Sequence, residues 1–171
     1  MQAQVKISFH GWVLVSALLG SGTVFGADAS YFAELVSCSA GPYGLQLPDS
    51  YDALRKLGTL KDDRILPALL RTGPGAEQRE LTFNGLRLTI LRKKLDPANY
   101  EVLSADVTGR GWKVTGPLKV GALLPARIAD VDTRQFRGRG VVEFIGESKD
   151  VLRVRRSGRR ISSITYLCNL R

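Results

Sequence analysis

Residues 80–108 read ELTFNGLRLTILRKKLDPANYEVLSADVT, and the spacing of their apolar side chains decides the fold class. Leu81 and Phe83 precede Gly85, and Leu86, Leu88 and Ile90 then alternate with Arg87 and Thr89. A two-residue period of this kind marks a hairpin of half-buried strands. Asp96-Pro97-Ala98-Asn99 predicts the next turn. Beyond it Leu103, Ala105 and Val107 fall on one side, and Ser104, Asp106 and Thr108 on the other. The pattern is that of an antiparallel sheet with one packed and one wet face. Trp112 and Val114 are expected to extend the sheet past the Gly109 to Gly111 break, before Thr115-Gly116-Pro117 closes the module.

Upstream, Tyr31 to Leu47 has strand-like residues before Cys38 and a Gly41-Pro42-Tyr43-Gly44 turn after it. Asp49 or Ser50 can cap a helix that packs Tyr51, Leu54 and Leu57 and stops at Gly58. Ile65, Leu66, Leu69 and Leu70 recur at helical spacing and predict a second helix around Asp62 to Arg71, before Gly73-Pro74-Gly75 breaks the chain. Downstream the plan recurs in shortened form. Pro125 to Val131 predicts a short helix through Ile128 and Val131, followed by strands at Val142 and Phe144, at Leu152 and Val154, and from Ile161 to Leu167. Phe83-Asn84-Gly85 corresponds to Phe144-Ile145-Gly146, and Leu103-Ser104 to Ile161-Ser162. The architecture expected is α+β, two tandem helix-plus-antiparallel-sheet modules over 30–115 and 116–171, their ends joined by a disulfide.

Residues 1–29 have the layout of a cleaved export signal. Lys6 provides a basic start, Trp12 to Leu19 an apolar stretch, and Ala27-Asp28-Ala29 a small-x-small site before Ser30. The apolar stretch is too short to span a bilayer well, so no transmembrane anchor is expected after cleavage. A periplasmic location follows from this reading. Cleavage removes His10, the only histidine of the chain. In an oxidising compartment the only two cysteines, Cys38 and Cys168, are expected to pair.

Charge is unevenly placed. Residues 30–109 hold ten Lys/Arg and ten Asp/Glu, whereas residues 110–171 hold fourteen and five, so the net charge of +9 belongs to the last third of the chain. Arg153 and Arg155 lie opposite Leu152 and Val154 on the wet face of their strand, and Arg159 and Arg160 follow at the next turn. Two readings stand: a solvated face that aids solubility, or a surface whose guanidinium groups receive carboxylate or phosphate. A partner on the second reading is an acidic protein or an anionic envelope component. Nucleic acid is disfavoured by the export signal and by the lack of an aromatic-rich basic motif.

Catalytic patterns are scarce. Without histidine, Ser-His-Asp and Cys-His chemistry and histidine-based metal sites are excluded from the mature chain. Asp62-Asp63 and Glu143 with Glu147 are the paired carboxylates nearest in sequence, but adjacent acids point apart and suit surfaces or helix starts. No Ser-x-x-Lys and no phosphate-binding loop occurs; Gly109-Arg110-Gly111 and Gly138-Arg139-Gly140 are turns. Neither an enzyme nor a cofactor is expected.

Trp112-Lys113-Val114 leads into Gly116-Pro117-Leu118-Lys119-Val120-Gly121, and the chain ends in the pattern Gly158-Arg159-Arg160-Ile161-Ser162-Ser163-Ile164-Thr165-Tyr166-Leu167-Cys168. Together with the repeated layout, over residues 44–168, this resembles exported bacterial proteins of the β-lactamase-inhibitor-protein-like and small outer-membrane-assembly-lipoprotein-like group. The resemblance implies a binding scaffold rather than a catalyst. The lipidation cysteine of the assembly lipoproteins is absent, Pro125 interrupts the helix expected after Gly121, and no inhibitory loop matches. The function expected is non-enzymatic binding through the basic C-terminal sheet face; the alternative is a secreted inhibitor or immunity protein that blocks an envelope-targeting hydrolase.

Overall fold

A computed structural model describes residues 29–39, 41–67, 75–112 and 118–169. The 80–108 stretch forms strands as its alternation predicts, although its second turn falls before Asp96. Strand β3 (Ala76–Phe83) turns at Asn84-Gly85 into β4 (Leu86–Lys93), which pairs in turn with β5 (Asp96–Val107). Gly85 has a φ of +77°, and a side chain there would strike the backbone of Gly109, whose N–H donates to the Gly85 carbonyl. Strands β8 (Val141–Ile145), β9 (Val151–Ser157) and β10 (Arg160–Leu167) form a second meander.

The two meanders share one sheet. Their last strands pair antiparallel, with Ile164 opposite Val107 and the bulky Tyr166 opposite the small Ala105. An edge strand completes each side: β2 (Leu60–Ile65) pairs antiparallel with β3, and β1 (Ala29–Phe32) runs parallel to β8. The result is a mixed eight-stranded sheet of order β1-β8-β9-β10-β5-β4-β3-β2.

One face of the sheet is covered. Leu81, Phe83, Leu86, Leu88, Ile90, Ala105 and Val107 from the first meander are buried in the same cluster as Val142, Phe144, Leu152, Val154, Ile161, Ile164 and Tyr166 from the second. Over them pack Ala33, Val36 and Leu45, then Tyr51 and Leu54 of the helix α1 (Tyr51–Arg55), and Leu118, Val120, Ile128, Val131 and Phe136. Phe136 belongs to a 3-10 turn (Thr133–Phe136) and meets Tyr31 at 4.0 Å and Phe144 at 5.8 Å between ring centroids. Burying each such side chain contributes about 1.5–3 kcal/mol relative to leaving it in water. The opposite face carries Val141, Glu143, Ile145, Arg153, Arg155, Thr165, Asp106, Thr89 and their neighbours, all exposed or half-exposed.

The structure overturns the two-module α+β expectation. The described residues contain one α-helix, five residues long, and eight strands drawn from both halves form one continuous sheet. That helix is the one predicted to start at Asp49 or Ser50; Ser50 caps it, its hydroxyl accepting the Ala53 N–H, and it ends at Arg55, short of the expected Leu57 and Gly58. The helix predicted from Asp62 is instead β2, up to Ile65. Pairing with β3 and the inward turn of Asp63 outweigh the helical spacing of Ile65 and Leu66. The helix predicted over Pro125 to Val131 is a small hairpin, β6 (Arg127–Ile128) against β7 (Val131–Asp132), turned at Ala129 with a φ of 52°. The turn expected at Asp96 lies at Lys94-Leu95, and β5 starts at Asp96 itself. Trp112 is not a strand residue; it stands edge-on to Phe83 at 5.6 Å and donates to the Asn84 carbonyl at 2.9 Å. Val114, the 115/116 module boundary, Leu69, Leu70 and residues 1–28 of the expected export signal lie outside the described residues.

Candidate functional site

The anionic-contact residues read from the sequence sit on or beside the uncovered face of the second meander. Arg153 and Arg155 are on β9, Arg159 is in the β9–β10 turn, and Arg160 opens β10. They are not equivalent. Arg153 donates to Glu143 directly across the strand pair through both Nε and Nη2, so its charge is compensated. Arg160 donates to the Gly121 carbonyl at 2.7 Å, beside the backbone bonds that join Gly121 and Ala122 to Ile161. It pins a loop. Arg155 and Arg159 are exposed and have no hydrogen-bond or ion-pair partner among the described residues. Arg156 points to the covered side, where it donates to the carbonyls of Phe136 and Arg139 at 3.2 and 3.3 Å and ties down the 3-10 turn.

The carboxylates considered as acid-base pairs are separated by the sheet. Asp62 faces outward near Arg64 at 3.8 Å, whereas Asp63 faces inward. Glu143 is held by Arg153, and Glu147 is exposed in the following turn. Among the described residues no three His, Cys, Asp or Glu side chains are placed to hold a metal, and no helix is long and apolar enough to cross a membrane.

Three arrangements were not read from the sequence. The first is a charged cluster where the covered face runs out under α1. Asp63 accepts from Tyr51 at 2.8 Å and from Arg79 at 2.9 Å, and lies 3.2 Å from Arg55. Arg79 and Arg92 both reach Glu77 Oε1, at 3.0 and 3.1 Å, and the Arg92 guanidinium lies 4.4 Å from the Tyr51 ring centroid. Burial, then the hydrogen bond to Asp63, pushes the Tyr51 phenol above its ordinary pKa. Burial works against the charge of Glu77, but the two arginines hold its carboxyl below the usual range. The cluster is self-satisfied, which suits a structural fastener more than a reactive centre.

The second is the clamp on the chain ends. Cys38 and Cys168 are joined, as their compartment reading predicted, with 5.6 Å between their Cα atoms. Asp150, 2% exposed, accepts the N–H of Cys38 and the N–H of Asn169 at 2.7 Å each, and the Ser148 hydroxyl at 2.6 Å. One buried carboxylate thus holds both arms of the disulfide on the β8–β9 hairpin.

The third is an apolar row on the uncovered face. Strand register aligns Phe32, Ile145, Val151 and Leu167 across β1, β8, β9 and β10, and the same row continues through Ser104, Thr89, Glu80 and Arg64. Phe32 is 58% and Leu167 41% exposed. A signal existed in the sequence, because each of these residues is out of phase with its strand's buried set; without the pairing of β1 to β8 the four could not be assembled. Comparison with protein-family models, with curated proteins and with solved structures finds no match.

Proposed function

We propose that the protein is a non-enzymatic binding or adaptor protein of the periplasm, which offers the uncovered basic face of its C-terminal meander to an acidic protein or an anionic envelope component. The observation that carries this reading is the pair Arg155 and Arg159, exposed cations without a partner among the described residues. Residues 118–169 hold eleven Lys/Arg against five Asp/Glu, and two of those acids are already engaged by Arg153 and Arg134. Such a surplus attracts acidic partners and speeds their encounter, and added salt weakens it. The Cys38–Cys168 bond fits an oxidising compartment.

The test is capture from periplasmic and membrane extract on the immobilised protein, washed at low and at high salt, with Arg155→Ser/Arg159→Ser as the comparison. Neither side chain has a partner among the described residues, so the variant should melt with the parent while losing salt-sensitive capture. Undiminished capture by the variant would sink the proposal. Arg153 and Arg160 are unsuitable here, since their replacement also releases Glu143 and the Gly121 loop.

A further inference from the structure

We infer that the partner of this face is a protein surface carrying an apolar strip bordered by carboxylates, seated on the row Phe32, Ile145, Val151 and Leu167 with its acidic border toward Arg155. This deepens the binding proposal above and rests on it. Four adjacent strands present the row, so it runs for about 14 Å at the usual spacing between strands. The next row on the same face is Ser30, Glu143, Arg153 and Thr165, and the one beyond it is Val141, Arg155 and Ser163. An apolar line, then an internally neutral row, then a cation without a partner among the described residues is the order of core and rim in a protein interface.

Charge separates this occupant from the others. A small anion would satisfy Arg155 or Arg159 and leave the row uncovered. An anionic bilayer laid flat against the sheet would need free cations spread across it, whereas β2 to β5 set Asp62, Glu80, Glu101 and Asp106 on that face against only Arg64, Arg87 and Lys93. A second copy placed face to face would offer Arg155 no open carboxylate, because Glu143 of that meander's face is already held by Arg153. The first meander's half of the face nearly balances, with Arg64 on Glu80 at 2.6 Å, Lys93 on Glu101 at 3.3 Å and Arg87 directly across from Asp106, so it offers a partner little net charge. What remains is a protein that covers the second meander alone.

The experiment places a benzophenone photo-crosslinking side chain at position 167, at position 163 beside Arg155 or, as a control in the same row of the first meander, at position 89, in cells making the full chain. The expected result is one acidic protein joined from positions 167 and 163 and not from 89. In the Phe32→Ser/Leu167→Ser variant its yield from position 163 should fall about ten-fold or more, because two large apolar contacts are lost, with the far-ultraviolet circular dichroism of the folded parent retained. Adducts from 167 with lipid, with a second copy of the chain or with nothing would overturn the inference, as would equal labelling from 89. In each of those cases, loss of salt-sensitive capture in Arg155→Ser/Arg159→Ser would leave the basic-face reading standing, and its persistence would remove both.

Discussion

Replacing Asp150 by alanine should destabilise the protein more than any other single exchange of a surface-loop acid, and through the disulfide. The carboxylate accepts three hydrogen bonds, two of them from the backbone of Cys38 and Asn169, and is almost wholly enclosed. Bonds to an ionised acceptor are worth about 1.5–3 kcal/mol each, but the loss is not additive, since water can reach part of the opened site. A net cost of about 3–5 kcal/mol follows, or a fall in Tm of roughly 10–20 °C for a domain of this size. The disulfide closes a loop with a sequence separation of 130, for which chain entropy gives about 5 kcal/mol. The two effects should interact, because the bond holds in place the very N–H groups that the carboxylate receives. A double-mutant cycle of Asp150→Ala with Cys38→Ser/Cys168→Ser, read from urea midpoints, should show Asp150→Ala costing at least about 1 kcal/mol less once the disulfide is gone. Additivity within about 0.5 kcal/mol, or an Asp150→Ala variant that melts with the parent, would refute the clamp.

Gly146→Ala should yield little folded protein on expression and circular dichroism, because an added Cβ would overlap the Val36 carbonyl; Gly140→Ala, with open space around its Cα, should behave as the parent. Ultraviolet titration should show Tyr100 ionising near 12, pushed there by burial and then by Asp49. Tyr166, raised still further by burial, should ionise only as the protein unfolds. Unfolded tyrosines release their protons near 10, so the folded state binds more protons above that pH and stability should fall from about pH 10 upward. A stability curve flat through pH 12, or phenol ionisation complete near 10 in the folded protein, would contradict that packing.

The sequence revealed strands wherever one face alone is packed. Leu86, Leu88 and Ile90 alternate because their neighbours Arg87 and Thr89 stay on the uncovered face, and the same holds for Leu152 and Val154 against Arg153 and Arg155. β2 hid because it is an edge strand whose inward residue, Asp63, is an acid satisfied by Tyr51 and Arg79 from other elements, and nothing local announces such partners. The small hairpin of β6 and β7 hid for a related reason: its turn uses Ala129 at positive φ where glycine or asparagine would have signalled it. For the candidate site, strand phase was enough to place Arg153 and Arg155 outward. It could not show that Glu143 occupies one of them and leaves the other free, because that depends on register between β8 and β9.

The placement of β1 sets an order in time. The first described strand has its partner 113 residues later, in β8, and Cys38 waits 130 residues for Cys168. A chain made or threaded N-terminus first can complete the β3–β4–β5 meander early, but its edge strand, its covalent closure and the Phe32 end of the apolar row all depend on the last residues to emerge. Long-range pairing of this kind slows folding. The uncovered face of the second meander is therefore the last part of the molecule to exist, and a chain truncated before β8 would carry the first meander without it.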